Sequence, residues 1–241
     1  MTYLKKEIKY LKQILTREEI KYYNFHKKRY LDILQSIHIN KNVKILDLGC
    51  SNGHLLLILK KLGADVCGVD YTDKWKERFK KYGIMFKKCN IESDPLPYLD
   101  DTFDYVMMNE VIEHLVKEIN LPIKECKRIL KKNGKLIIST PNACELGKRL
   151  LFLLGKNIYW DINTFYERGI YERHNREFSM DELKFILKIN GFSKFKSKYL
   201  SSWEGLRQIE KNNPLATIIS MIQKIFPKFR SNLLIIANKS N

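Results

Sequence analysis

Val43-Lys44-Ile45-Leu46-Asp47-Leu48-Gly49-Cys50-Ser51-Asn52-Gly53-His54 is an apolar run of strand length, a glycine-bounded turn, and the start of a helix. Residues 53–62 are strongly apolar and end in Lys60-Lys61 before Gly63, a helix with its stop signal. Residues 65–70 (DVCGVD) are a second strand. Strand, turn, helix and strand in this order make a parallel β-α-β unit. Outward from it the alternation continues. A helix is expected over 73–82, a strand over 84–89, a Pro- and Asp-rich loop over 90–102, and a strand over 103–108. A helix is expected over 110–130, with Pro122 marking a break or a fresh first turn, then a strand over 135–140 after the turn Asn133-Gly134, and a helix over 179–190. Ser179 with Glu182 three residues on is a capping box for that helix, and Gly191 ends it. Residues 192–199 and 232–237 read as two more strands. The expected fold is a doubly wound, mostly parallel seven-stranded α/β sheet of Rossmann-like type.

Upstream, apolar residues recur at helical spacing over 3–35 and again over 22–37, an N-terminal helical extension within residues 1–40. Residues 43–141 form the expected core of one domain spanning the 241 residues. Two segments break the alternation: 142–178, rich in aromatics, and 200–230, with an apolar helix at 215–226 between Pro214 and Pro227. Both follow strands, so both are expected to form a helical lid or wall on the substrate side of the sheet; the alternative for 215–226 is an ordinary core helix packed into the domain.

Composition removes several classes. At 44% hydrophobic and 29% charged residues, the chain is neither disordered nor collagen-like. No apolar run reaches the roughly 18–20 residues of a spanning helix, and the opening MTYLKKEIKYLKQ is too charged for a signal peptide. Cys50, Cys67, Cys89, Cys126 and Cys144 are odd in number and form no C-x-x-C, which reads as free thiols in a cytoplasmic protein. The net charge is +17, yet residues 45–190 carry only +3, and each end, 1–44 and 191–241, carries +7. Lys outnumbers Arg 34 to 10. A solvated Lys-rich surface accounts for this, and a basic face for RNA, a nucleotide sugar or an anionic membrane surface is the functional alternative.

The turn carries the first chemistry. Glycines at 49 and 53 do not spell the dinucleotide fingerprint, and Asp47 lies two residues before the first of them. An acid there disfavours a pyrophosphate and suits a cation. Asp70 ends the second strand, where a carboxylate binds both hydroxyls of a ribose, with Tyr71 beside it. A ligand with a ribose and a positive charge but no phosphates is S-adenosylmethionine. The second motif is Asn109-Glu110-Val111-Ile112-Glu113-His114. On a helix, Glu110, Glu113 and His114 would share one face. Three readings stand: a divalent-metal site with Mg²⁺ as the ion, His114 as a general base beside Glu113, or acids that only favour a helix N-terminus.

Residues 43–193 resemble the class I S-adenosylmethionine-dependent methyltransferases. ILDLGCSNGHLLLILKKLGADVCGVD is similar to that family's first two motifs, and NIESDPLPYLDDTFDYVMMNEVIEHL to its acidic loop and fourth strand. The resemblance implies that Gly49, Cys50, Ser51 and Gly53 line the methionine part of the cofactor and Asp70 its ribose. It places Asn90 and Ile91 at the adenine and Asn109 at the sulfonium, and it makes the last strand antiparallel. Ser51 stands where the family often has a third glycine. The acid-x-x-Glu-His pattern is similar to ubiquinone-type O-methyltransferases. It is also similar to the enzymes that methylate the 3′-terminal ribose of small RNAs, which add a late histidine after Ser-Thr-Pro-Asn. Here Ser139-Thr140-Pro141-Asn142 and His174 are present, so Glu110, Glu113, His114 and His174 are the candidate metal ligands. The second histidine, the acid and the tryptophan of that late motif are missing. An N-P-P-Tyr signature of amide and adenine N-methylation is absent at 109–112. The expected function is O-methylation of a small-molecule, glycan or lipid-linked acceptor, with peripheral membrane contact. The alternatives are RNA ribose 2′-O-methylation and a non-catalytic cofactor-binding domain.

Overall fold

A computed structural model describes residues 14–201 and 214–240, with the side chains of the last helix given from Thr217 onward. The expected helix over residues 3–13 lies outside the described residues, as does most of the stretch before that last helix.

Seven strands form one sheet: β1 (Lys44–Leu48), β2 (Asp65–Asp70), β3 (Met85–Lys88), β4 (Phe103–Asn109), β5 (Leu130–Pro141), β6 (Phe192–Leu200) and β7 (Asn232–Lys239). Their order is β3-β2-β1-β4-β5-β7-β6. β7 runs antiparallel to both neighbours, and β1 through β5 pair in parallel. This is the expected seven-stranded mixed sheet with its last strand reversed. The chain reverses direction from β1 to β4, so a crevice opens where β1 and β4 end, at Leu48 and Asn109.

Helices cover both faces: α1 (Arg17–Leu34), α2 (His54–Lys61), α3 (Lys76–Lys81), α4 (Asn120–Ile129), α5 (Leu146–Leu153), α6 (Ile162–Glu167), α7 (Met180–Ile189) and α8 (Pro214–Ile225). The period-2 pattern of the central strands divides the core. Leu46, Leu48, Val106, Met108 and Ile138 pack against Ile123, Cys126 and Ile129 of α4 and Leu183 and Leu187 of α7. Ile45, Val66, Met107 and Ile137 pack on the other face, against Leu55, Leu56 and Leu59 of α2 and Tyr30, Ile33 and Leu34 of α1. Each such side chain fully buried contributes about 1.5–3 kcal/mol. Helix α1 is therefore part of the core and not an appendage.

The capping box of α7 is present: Ser179 N–H donates to Glu182 Oε2 at 2.8 Å and Glu182 N–H to Ser179 Oγ at 3.3 Å. Helix α1 begins with a second one, Thr16 with Glu19. Glu19 also pairs with Arg78 of α3, which ties the first helix to the third.

The expected helix over 110–130 is corrected. Glu110 has φ +55°, a left-handed conformation that a helix cannot continue through. A single 3₁₀ turn, Ile112–His114, follows, and α4 begins only at Asn120. Glu110, Glu113 and His114 thus do not share a helix face. The turn at Asn133, φ +65°, lies inside a strand longer than expected, since β5 already pairs at Leu130 with Phe103.

Candidate functional site

The parallel strands converge on a cavity of about 550 Å³ at their carboxyl ends, within the roughly 300–1,000 Å³ of small-molecule sites. Asp47, Gly49, Cys50, Ser51, Asp70, Tyr71, Asn90, Ile91, Asn109, Glu110 and His114 line it. Gly53, Glu113 and His174 do not.

The β1–α2 turn owes its shape to left-handed residues. Gly49 has φ +65°, Ser51 +45° and Gly53 +73°. A Cβ on Gly53 would collide with the Phe79 ring, and one on Gly49 with Val111. These glycines are required by the turn and by protein packing. Ser51, where a third glycine was looked for, holds a conformation that glycine adopts at less cost. The turn presents Ser51 N–H to Asp70 Oδ2 at 2.8 Å, and Thr72 N–H donates to Oδ1 at 3.2 Å. The Asp70 carboxylate is thereby aimed along the cavity wall.

Asp47 is buried at the cavity floor, and Asn109 Nδ2 donates to its Oδ1 at 3.3 Å. Burial pushes the Asp47 carboxyl up to about 7; the Asn109 hydrogen bond opposes this and the neighbouring Asp70 adds to it. The Asn109 Oδ1 is buried with no hydrogen-bond partner. A partly protonated acid beside an open amide oxygen fits a ligand that brings positive charge. A folded-state pKa above the unfolded one means the native chain binds the extra proton between about pH 4 and pH 7. The stabilisation from that proton is full below the unfolded value and is lost as pH rises to 7. Asp47→Asn should accordingly gain stability over the parent as pH climbs from 4 to 7, with a constant difference above 7. Thermal melts of the pair at matched pH check this; a pH-independent difference contradicts the buried, proton-binding state.

At the other end, Asn90 is held on both sides. Its Nδ2 donates to Tyr171 Oη at 3.1 Å, and its Oδ1 accepts from Glu92 N–H at 3.1 Å. The Tyr71 and Tyr171 rings stand 5.1 Å apart and tilted by 49°, two apolar faces suited to a flat base. Tyr171, Arg168 and Glu172 come from the 142–178 segment, which thus supplies a wall of the cavity.

Glu113 is fully buried behind that wall. Thr140 Oγ1 donates to its Oε2 at 2.9 Å, while Oε1 has no partner. Burial, with the charge of Glu110 added, raises its pKa well above the carboxylate range. His114 Nδ1 lies 2.9 Å from the Arg173 carbonyl oxygen. A carbonyl only accepts, so Nδ1 carries the hydrogen and Nε2 is left with a bare lone pair. Burial, reinforced by His174, lowers the His114 pKa to about 4. The two imidazoles stand 5.0 Å apart edge to face, and His174 Nδ1 meets Glu177 Oε1 at 3.1 Å. One ligand atom from each of Glu113, His114 and His174 falls within 4.8 Å of the others. Two imidazoles, each with Nδ1 fixed by an acceptor, and one unsatisfied carboxylate oxygen are a set that fits a divalent ion.

Glu110 is not in that set. Its carboxylate pairs with Arg29 NH1 at 2.9 Å and accepts from Ser139 Oγ at 3.2 Å and from Asn232 Nδ2. Its expected metal role is corrected: the left-handed backbone at 110 turns the side chain towards α1. With one carboxylate and two imidazoles left, the set also suits Mg²⁺ poorly, since that ion prefers oxygen ligands. Among the lining residues that sequence reasoning missed are Arg168, Tyr171 and Glu172 of the wall and Tyr22, Arg29 and Tyr30 of α1. For α1 the available signal was an arginine on the same helical stripe as Tyr23, His26, Tyr30 and Ile33, where a charge needs a buried partner.

Residues 46–138 match the family described as "Methyltransferase domain". The mitochondrial ubiquinone biosynthesis O-methyltransferase of Bos taurus is 31% identical over 160 residues, 63% of this chain and 41% of that protein. The ubiquinone biosynthesis O-methyltransferase of Pelagibacter ubique (strain HTCC1062) is 38% identical over 106 residues, 42% of this chain and 43% of that protein. The chain thus spans less than half the length of these curated relatives. Among solved structures, an S-adenosylmethionine-dependent methyltransferase from Archaeoglobus fulgidus superposes with a TM-score of 0.61. It is 22% identical and covers 93% of this chain and 100% of its own, a likeness of fold.

Proposed function

We propose an activity for this chain from one premise: its core is a class I S-adenosylmethionine-dependent methyltransferase domain. The reaction is methylation of a hydroxyl on a small-molecule or lipid-linked acceptor. The observation that carries it is His114, whose bare Nε2 belongs to a side chain lining the cavity and whose Nδ1–H is pinned by Arg173. That the relatives are named O-methyltransferases of ubiquinone biosynthesis supports an oxygen acceptor.

The cavity residues fit the cofactor by charge and by open polar atoms. Asp70, whose carboxylate Ser51 and Thr72 hold in place, would accept from the ribose hydroxyls. Asp47 and the unpartnered Asn109 Oδ1 would hold the cationic methionine end. Ile91, Tyr71 and Tyr171 would hold the adenine, while the Asn90 side chain braces Tyr171. When bound, S-adenosylmethionine supplies an electrophilic methyl group. The chain's own work is alignment of the acceptor oxygen, exclusion of water by the 142–178 wall, and acceptance of the hydroxyl proton at His114 Nε2. A pKa near 4 keeps that lone pair free throughout the physiological range.

A second reading follows from the Glu113, His114 and His174 group. These three would hold a divalent ion, which would supply Lewis-acid activation of the acceptor hydroxyl. The ribose-methylating RNA enzymes resemble this chain in that same cluster, so RNA is the acceptor to test beside small molecules. The cytoplasm is the proposed compartment, supported by five cysteines that form no disulfide. No helix among the described residues is long and apolar enough to cross a membrane.

Asp70→Ala is expected to weaken S-adenosylmethionine binding by one to two decades. The loss of a charged hydrogen-bond acceptor costs roughly 1.5–3 kcal/mol, and each decade is about 1.4 kcal/mol. Titration calorimetry decides: an unchanged affinity contradicts the placement of the ribose.

A further inference from the structure

We propose that the packed pair α5 and α8 is a docking surface for an anionic lipid bilayer, lying flat on its interface. Helix α8 is apolar on two sides. Ile219 is buried and Ile222 half-buried against Leu146, Leu150 and Phe229. Ile218, Met221 and Ile225, spaced i, i+3 and i+7, face water instead, at 52%, 59% and 70% exposure, and Phe226 follows them. Helix α5 runs out in Phe152, Leu153 and Leu154, all more than two-thirds exposed. An ordinary surface helix buries one stripe and turns a polar face outward. Seven large apolar side chains exposed on, or one residue beyond, two helices that pack together are apolar surface of the kind that marks an interaction site.

The charge around the patch selects the partner. Residues 146–156 and 214–230 contain Lys148, Arg149, Lys156, Lys224, Lys228 and Arg230 and no Asp or Glu. Lys148 is engaged by Glu177 and Glu145, and Arg230 donates to the carbonyls of Gln223 and Tyr199. Arg149, Lys156, Lys224 and Lys228 are exposed. Two apolar segments that carry cations and no carboxylate of their own, with Glu145 and Glu177 occupied by Lys148, match the boundary between acyl chains and anionic headgroups. Helix α8, with 12 residues, is too short to span the roughly 20-residue hydrocarbon core, so it lies in the interface.

The patch is tied to the site. Asn142, just past the end of β5, donates through Nδ2 to the carbonyls of Lys228 at 3.1 Å and Arg230 at 2.7 Å. The α5 segment continues into the wall that carries Arg168 and Tyr171. A lipid-embedded acceptor would therefore be presented to the cavity by the surface that holds the protein. That delivery rests on the proposed methyl transfer, whereas bilayer binding does not.

The test is flotation of the whole chain with vesicles of phosphatidylcholine alone and of phosphatidylcholine mixed with phosphatidylglycerol. The chain is expected to float with the mixed vesicles and not with the neutral ones. Ile218→Ser/Met221→Ser/Ile225→Ser should lose at least about tenfold in vesicle affinity. Calorimetric affinity for S-adenosylmethionine should stay at the parent value in that variant. Should the triple variant melt early, Phe152→Ser/Leu153→Ser, at positions more than two-thirds exposed, carries the same expectation. Failure to float at low salt overturns the proposal, as does a serine variant that floats like the parent. Light scattering that shows a dimer dissolved by the same substitutions assigns the face to a second copy and overturns it too. Tight, salt-sensitive binding to a short RNA without vesicle binding does the same.

Discussion

His114→Ala lowers the methylation rate by roughly two to four decades, the usual contribution of a positioned proton acceptor, and leaves S-adenosylmethionine affinity near the parent value. The lone pair at Nε2 is lost, while Asp47, Asp70 and the β1–α2 turn are untouched. The parent's pH profile carries a second signature. Because burial and His174 lower the His114 pKa to about 4, the acid limb of the rate falls near that pH and not near 6.5. Single-turnover rates from pH 4 to 8, on the acceptor pool that takes up label, measure both. A chelator separates the two readings of the cluster. Activity that survives chelation belongs to the base. Activity abolished by chelation and restored by Mn²⁺ or Zn²⁺ belongs to the ion on Glu113, His114 and His174. A fully active His114→Ala enzyme contradicts both.

Arg29→Ala destabilises the protein by about 3 kcal/mol, the low end for removing one partner of a buried ion pair, because the Glu110 side chain is 18% exposed. At this chain length that lowers the melting midpoint by on the order of 10 °C. Arg29 is 6% exposed, and its NH1 lies 2.9 Å from Glu110 Oε2. Glu110 keeps Ser139 and Asn232 as donors but loses its counter-charge, and its backbone already holds a left-handed conformation beside Asn109. The double substitution Arg29→Met/Glu110→Gln removes both charges and should recover most of the loss. Denaturant melts of the three variants check it. Equal stability of Arg29→Ala and the parent contradicts a buried pair that anchors α1 to the end of β4.

The sheet was readable because its central strands are apolar runs that end in turn residues: Ile45 to Leu48 before Gly49, and Phe103 to Met108 before Asn109. The capping box at Ser179 was equally plain, since its two residue types and their spacing are the whole mechanism. Pro122 signalled the fresh first turn in which α4 begins, but the left-handed break at Glu110 was not readable. Glu110, Glu113 and His114 have helical spacing, and the left-handed turn at 110 comes from tertiary partners far along the chain: Arg29, Ser139 and Asn232. The 142–178 wall was expected as a segment, but the same distance in sequence hid which of its residues meet the cavity. Nothing local to Tyr171 says that its hydroxyl meets Asn90, or that its ring stands beside Tyr71. Asp47 and Asp70 were found because strand-end acids flanking a glycine turn are a local pattern with a direct electrostatic meaning. Arg29 was overlooked because one basic residue among many on α1 draws no attention until its burial is known.

The central claim is that this chain transfers a methyl group from S-adenosylmethionine to an oxygen acceptor. Incubation with the methyl-labelled donor and a cell extract split into lipid, glycan, small-molecule and RNA pools tests it most directly. The predicted result is label in the lipid or small-molecule pool, held as a methyl ether and absent with Asp70→Ala. Cofactor binding by calorimetry with no label in any pool contradicts it and leaves a non-catalytic binding domain; label in the RNA pool alone overturns the choice of acceptor.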